Sequence, residues 1–520
     1  MGKDLVATFR EATERASEEL AGFDLKAVHA LGLSKVHTDL LGSHTVVTYP
    51  PLDSLSADID SDLLLGEVDF RSRVNGYVHV PWCEYPCKFC PYNTENINAP
   101  DAKERMNAYF PALEKEVQMW SELLRRDSSQ MESLYIGGGT PFAIPVSRLE
   151  KLVSFLRAEI PFTDNPTICV ETTPFAVLQP DAREKFAILK ANGVNRMSMG
   201  VQSFDFETLR DTARTFKGHQ RVDEEKAVKI LLDSGINHIN IDMIQDLPEQ
   251  SSSPLDRLRV DLETIARLQP QHITWYNMRL RPETTYARRG SSRVSPEEQS
   301  LLHRLTIWNF LETTGYQVLE GDRFAKGKEY EDKFRKARGS VTRDLLGMGV
   351  SAYSHVNGIF FQNPRVIGNN VRLDSRMATD QYIERLRSGE HAITFGFSID
   401  ASERLAALFA LGLKNGVSHQ EIHDAYLGQP DCGAYMAQIV NPRIQSYVNA
   451  GLLEAKDGVI EFSRLGKLFE NEICASFYSP AVVATAKSRR GELTEELKAL
   501  YKNYEFAKLW DRGIDSQKMS

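Results

Sequence analysis

The stretch Tyr77-Val-His-Val-Pro-Trp-Cys83-Glu-Tyr-Pro-Cys87-Lys-Phe-Cys90 decides the fold. A short apolar run of strand character delivers a loop with the spacing C-x3-C-x2-C. Three thiolates can hold three irons of a [4Fe–4S] cluster and leave the fourth iron without a protein ligand. Structural zinc takes four ligands, and no fourth Cys or His stands at ribbon spacing. His79 lies in the strand that delivers the loop. Six cysteines in 520 residues are sparse for a disulfide framework. The other three, Cys169, Cys432 and Cys474, are isolated and read as buried small apolar residues.

Outward from this loop, short apolar runs alternate with longer helical periodicities, the pattern of βα units on a parallel sheet. The expected strands are Gly76–Pro81, Ser133–Ile136, Thr167–Glu171, Arg196–Val201, His238–Ile244 and His272–Asn277. Helical patterns at Lys103–Arg125, Val146–Ala158, Asp223–Ser234 and Leu255–Leu268 lie between them. The fold class is α/β: a partial (β/α)6 barrel with an N-terminal extension and a C-terminal winged-helix-like domain. Chemistry in such barrels sits at the C-terminal ends of the strands, where the cysteines fall. The expected divisions are residues 1–70, an extension with two helical stretches and an extended Thr48–Pro51 segment; 71–290, the barrel; 291–400, a barrel-completing segment; 401–480, the C-terminal domain; and 481–520, a polar tail. A linker-like stretch, Ser291–Pro296, is followed by an expected apolar helix, Gln299–Thr314. Gly451 to Ser463 reads as a hairpin about an Asp457-Gly458 turn.

A net charge of −9 argues against a sequence-independent nucleic-acid binder. Arg443 and Lys467 are too few cations to make the winged-helix-like unit a phosphate-binding surface. The start of the chain has no apolar signal core, and no 18-residue apolar run is present. A cytoplasmic monomer with no membrane or nucleic-acid partner is expected.

Tyr135-Ile-Gly-Gly-Gly-Thr-Pro141 follows the second strand, and its glycines are expected to expose N–H groups to a ligand. Glu171, Gln202 and Asp242 fall at or near strand ends, with Arg214 twelve residues past Gln202. Acidic and amide groups there suit ribose hydroxyls, and a cation suits a carboxylate. Each can equally satisfy the barrel mouth itself; Asp242 carries most weight, because a carboxylate inside an apolar strand is costly unless paired. A second glycine turn is Gly347-Met-Gly349-Val-Ser-Ala-Tyr353-Ser-His355.

From about Gly76 to Tyr478 the chain resembles the oxygen-independent coproporphyrinogen III oxidase-like (HemN-like) branch of the radical S-adenosylmethionine (SAM) enzymes. The carriers are Tyr77-x-His79-x-Pro81-x-Cys83, Cys87-Lys-Phe-Cys90, Gly-Gly-Gly-Thr-Pro, Gly200-Val-Gln-Ser-Phe204, Asn240-x-Asp-x-Ile…Leu-Pro248, and the C-terminal Gly451-Leu-Leu-Glu and Leu465-Gly. The resemblance implies that Cys83, Cys87 and Cys90 hold the cluster. It implies that Tyr77, Gly138, Gly139, Thr140, Glu171, Gln202, Arg214 and Asp242 line a first SAM, with Phe89 near its adenine. Gly347 and Gly349 would help form a second SAM site. The chain departs from the branch at Asp246, where Gly is usual, and at Trp82, where Phe is usual. Lys333-Phe-Arg-Lys-Ala-Arg338 stands where porphyrin members carry His-Asn-x-x-Tyr-Trp.

The implied chemistry is reductive cleavage of SAM to a 5′-deoxyadenosyl radical, with flavodoxin or ferredoxin as reductant. A second SAM would serve C-methylation or methylene transfer (cyclopropanation) on a small organic substrate. The alternatives are oxidative decarboxylation of coproporphyrinogen III, for which Arg279, Arg281, Arg335 and Arg338 offer cations, and a heme-binding chaperone. Tyr49, Tyr276, Tyr353 and His355 are candidate proton carriers, none assigned.

Overall fold

The computed structural model describes residues 4–34, 48–55, 61–84, 87–215, 220, 223–247, 253–278, 295–365, 371–398, 401–426, 430–486 and 488. Six strands run parallel in chain order: β1 (Arg73–Val80), β2 (Gln130–Gly138), β3 (Phe162–Thr172), β4 (Arg196–Gln202), β5 (His238–Gln245) and β6 (His272–Asn277). Each expected strand is present, and several run longer than their apolar core suggests. β1 is buried on both faces over most of its length, as a parallel strand covered by helices must be.

The covering helices include α1 (Leu5–Ala21), α2 (Ala102–Arg126), α3 (Val146–Glu159), α4 (Ala182–Ala191), α5 (Asp223–Leu232), α6 (Pro254–Leu268) and α7 (Glu297–Thr313). Helix α7 is buried on nearly all sides, from Leu301 through Leu311. α1 lies against it, so the N-terminal extension is packed into the barrel's helical layer. Thr48 to Pro50 bends instead of running extended, with a cis Tyr49–Pro50 peptide.

Past β6 the sheet continues through antiparallel β7 (Gln317–Glu320) and β8 (Arg323–Ala325). A short helix, α8 (Lys333–Arg338), then crosses to the other end of the barrel. There β9 (Asp344–Met348) joins β1 in parallel, and β10 (Tyr353–Val356), β11 (Ile359–Gln362) and β12 (Phe395–Ser398) extend the sheet antiparallel. The order is β12-β11-β10-β9-β1-β2-β3-β4-β5-β6-β8-β7. The barrel therefore stays open between β6 and β9. α8 packs against β1, β2 and β9 and occupies that opening.

The C-terminal unit is a three-stranded sheet of Val417–Ser418, Leu453–Lys456 and Val459–Phe462 with helices such as His419–Tyr426 and Asn441–Asn449. Its hairpin turns at Asp457 and Gly458, both with positive φ (52° and 77°), as a tight turn of this type requires. Among the described residues no helix is long and apolar enough to cross a membrane.

Candidate active site

The cluster loop leaves β1 at Val80 and is rooted by a short bridge in which Trp82 and Cys83 pair with Glu95 and Asn96. Cys83, Cys87 and Cys90 are all partly exposed at the barrel mouth, none in a disulfide. The Thr140 hydroxyl lies 3.3 Å from Cys83 Sγ, and Arg214 Nη1 donates to Cys87 Sγ at 3.3 Å. Cys169 and Cys474 are buried and away from the loop, as expected; the side chain of Cys432 lies outside the described residues.

His79 is no fourth ligand. Its Nδ1 accepts from the Tyr77 hydroxyl at 2.9 Å, and its Nε2–H donates to the Asn93 carbonyl at 2.9 Å. Burial holds its pKa down at about 4, so the ring is neutral. It braces the strand to the far side of the cysteine loop. Three sulfurs with no fourth protein ligand among the described residues are the donor set a [4Fe–4S] cluster with one open iron requires.

The glycine turn after β2 corrects one expectation. The Gly138 amide donates to Glu171 Oε2 (2.9 Å), that of Gly139 to the Val80 carbonyl (2.8 Å) and that of Thr140 to the Trp82 carbonyl (2.6 Å). These N–H groups are thus engaged within the protein. Glycine is required by close approach instead. A Cβ on Gly138, which has φ +110°, would lie 2.5 Å from the His79 ring, and one on Gly139 would lie 2.4 Å from the Trp82 carbonyl oxygen. The turn clamps the root of the cluster loop.

Two carboxyls face the same space. Glu171 accepts from the Tyr135 hydroxyl at 2.7 Å, and burial, with the nearby Asp242 adding to it, lifts its pKa to about 7. Asp242 accepts from Ser198 and Asn240, each at 2.9 Å, and is also raised by burial. Gln202 adopts φ +74°, and its buried Oε1 has no partner among the described residues. An orphaned acceptor beside two carboxyls suits a polyhydroxylated ligand such as a ribose. Arg214 also donates to the Gly200 carbonyl, which fixes it between β4 and Cys87. Phe89 packs with Ile244 against Leu247 and Met278, so it lies over the end of β5. The second glycine turn differs from its expectation. Gly347 donates to Ser354 Oγ and Gly349 to the buried Glu116, so neither amide is open to a ligand.

The sequence reading missed several contributors. Glu84, inside the cysteine spacing, is half-buried and accepts from Thr173 at 3.2 Å. Phe334 of α8 stacks on Tyr135 (4.9 Å between centroids) and Tyr77 (6.0 Å). The acid next to Cys83 was a visible signal; Phe334 had none, because only the fold brings α8 inside.

A three-cysteine loop at the C-terminal mouth of a partial parallel barrel, beside paired carboxyls and a fixed arginine, defines a radical SAM protein. Residues 77–277 match the Radical SAM superfamily model. The heme chaperone HemW of Bacillus subtilis is 24% identical over 409 residues, spanning 78% of this chain and 98% of that protein. The oxygen-independent coproporphyrinogen III oxidase of Escherichia coli is 26% identical over 456 residues, spanning 83% and 91%. The solved structure of the coproporphyrinogen III oxidase HemN from Escherichia coli superimposes with TM-score 0.68 at 24% identity over 83% of this chain and 96% of that one. Residues 77–277 are thus similar to the radical SAM superfamily, whose cofactors are a [4Fe–4S] cluster and SAM, and most of the chain is similar to HemN- and HemW-type proteins.

Proposed function

We propose that this protein is a radical SAM one-carbon transferase acting on a small organic acceptor. When bound, the cluster and a first SAM supply a 5′-deoxyadenosyl radical, given one electron from a flavodoxin- or ferredoxin-type donor. A second SAM held beside the acceptor would lose a methyl hydrogen to that radical and pass its carbon to an sp2 carbon, and a second electron from the same donor would complete the product as S-adenosylhomocysteine leaves. The observation that supports this is a mouth with two separate polar groupings. Glu171, Asp242, Gln202 and Arg214 form one beside the cysteines. Tyr276 near the end of β6, Tyr353 at the start of β10 and Arg338 at the end of α8 stand on the elements that border the barrel's opening. The protein's part is to orient two ligands toward each other and keep water out.

Decarboxylation of coproporphyrinogen III is the second reading, favoured by the likeness to the Escherichia coli oxidase. Of its candidate anchors, Arg335 is committed to Glu320 Oε2 at 2.6 Å, and Arg279 and Arg281 lie outside the described residues.

The test is SAM with a deuterated methyl group, given to anaerobically reconstituted protein with dithionite. Deuterium in 5′-deoxyadenosine together with S-adenosylhomocysteine is the expected result. Unlabelled 5′-deoxyadenosine rejects the two-molecule mechanism and turns the search to coproporphyrinogen III. Absence of 5′-deoxyadenosine with an intact cluster, alongside stoichiometric heme binding, moves a chaperone role to the front.

A further inference from the structure

The Asp242 carboxylate is held from behind by a relay of neutral side chains. Side chains two apart on a strand share a face, so Asn240 stands behind Asp242 on β5. Ser198 on β4 and His272 on β6 are level with Asn240; Thr274 on β6 is level with Asp242 and with Arg323 on β8. Arg323 Nη1 donates to the Thr274 hydroxyl at 3.0 Å. That hydroxyl donates to Asn240 Oδ1 at 3.2 Å, and His272 Nδ1 donates to the same oxygen at 2.5 Å. Asn240 Nδ2 donates to Asp242 Oδ1 at 2.9 Å and to Ser198 Oγ at 2.7 Å. Ser198 in turn donates to Asp242 Oδ2 at 2.9 Å. Ser198, Asn240, His272, Thr274 and Arg323 are all buried, whereas Asp242, nearer the mouth, is half-buried. The direction of the relay is fixed at both ends. A guanidinium only donates, and a carboxylate only accepts. Thr274 therefore turns its proton toward Asn240, and the Asn240 amide turns its oxygen toward β6 and its nitrogen toward Asp242. His272 carries its proton on Nδ1, and burial keeps the ring neutral. Its Nε2 is left as a buried acceptor with no hydrogen bond among the described residues.

We infer that His272 and Asn240 are positioning residues, which hold the Asp242 carboxylate so that it takes both vicinal hydroxyls of a ribose. Each Asp242 oxygen accepts one bond from the relay and keeps a lone pair for the mouth. Two acceptors fixed in one plane match a diol, whose hydroxyls donate to both oxygens at once. Without the His272 proton, Asn240 Oδ1 keeps only the Thr274 bond, and the amide is free to rotate away from Asp242. The inference rests on the reading of Asp242 as a ribose acceptor.

The experiment compares the reconstituted full chain with His272→Leu, which removes the donor, and His272→Asn, whose amide N–H can replace the Nδ1 proton. Equilibrium dialysis with 5′-deoxyadenosine and 2′,5′-dideoxyadenosine separates the diol from the rest of the nucleoside. The unaltered protein is expected to bind 5′-deoxyadenosine about tenfold more tightly than the dideoxy compound, as one hydrogen bond to a charged acceptor provides. His272→Leu is expected to abolish that preference, and His272→Asn to restore most of it. Equal weakening of both nucleosides by His272→Leu, or an unchanged preference, overturns the assignment, because lost packing alone does not distinguish the two. Should His272→Leu fail to fold, Thr274→Val removes the other donor to Asn240 and is expected to reduce the preference about threefold. An unchanged preference there also overturns the assignment. The ring is read separately in cofactor-free protein labelled with 15N-histidine, where the signal missing from His272→Asn belongs to His272. A proton on Nε2 in place of Nδ1 overturns the relay. A proton on Nδ1 with no diol preference in the unaltered protein leaves the relay standing and overturns the ribose reading, and with it this role for His272 and Asn240.

Discussion

Glu171 shows how a single residue couples the site to stability. Its carboxyl titrates at about 7 in the folded protein because it is buried and faces Asp242. A raised carboxyl favours the folded state fully only below its unfolded pKa, and that advantage is lost as pH climbs through 7. Glu171→Gln should therefore raise the Tm of the cofactor-free protein at pH 8 relative to its effect at pH 5. The difference corresponds to about 1–3 kcal/mol for a shift of this size. Thermal unfolding of both proteins at the two pH values measures it, and a pH-independent difference would refute it. At this scale the sequence disclosed which residues matter more readily than what they do. The Gly-Gly-Gly turn was legible as special. Its function as a close-contact clamp was not, because the colliding atoms belong to His79 and Trp82 some 60 positions away in the chain.

Among the elements, the junction of β5 with α7 makes the clearest case. Asp246, with φ +61°, ends β5 and is bonded by His303 at 2.6 Å and Ser300 at 2.6 Å, both from α7. Burial works to raise its pKa, yet the His303 contact prevails and holds it at about 2. The residue that departs from the family pattern is thus the latch between a barrel strand and the most buried helix. Asp246→Asn should destabilise the protein by about 1–3 kcal/mol, as weakening the hydrogen bonds of a buried carboxylate does. Urea unfolding tests this, and a loss under 1 kcal/mol would show the latch to be dispensable. The six barrel strands could be located from apolar runs because each is covered on both faces. The assignment of residues 333–338 to the barrel interior could not. Their charged composition suggests surface, and only the pairing of β9 with β1 pulls them inward.

Across the whole molecule, Arg464 ties distant parts of the chain together. It reaches Glu19 on α1 (3.2 Å), Glu312 on α7 (2.7 Å) and Asn309 (2.9 Å) from the C-terminal unit. Tyr49 and Ser479 both donate to Glu403, a second tie between the two ends of the chain. Arg464→Ala is expected to loosen the C-terminal unit without unfolding the barrel. Limited proteolysis would then cut within the C-terminal unit at least threefold faster, with iron content unchanged. An unaltered cleavage rate would place the docking strength elsewhere. Composition and motif order announced the units of this architecture, whereas the ties between them join residues 152 to 445 positions apart and leave no local pattern.

The parallel pairing of β9 with β1 also sets a timetable. The strand that carries the cysteine loop has β2 on one side as soon as residue 138 is made, but its other edge stays bare until Asp344 to Met348 arrive, 270 positions after Val74. At ribosomal speeds of roughly 5–20 residues per second, that is a wait of roughly 15–50 s. An unpaired edge beside three reactive thiols is exposed to misfolding and oxidation throughout. Iron delivery is therefore expected to be a late event in the life of this chain. A ribosome-bound fragment ending before Asp344 should not retain the cluster that the finished chain holds.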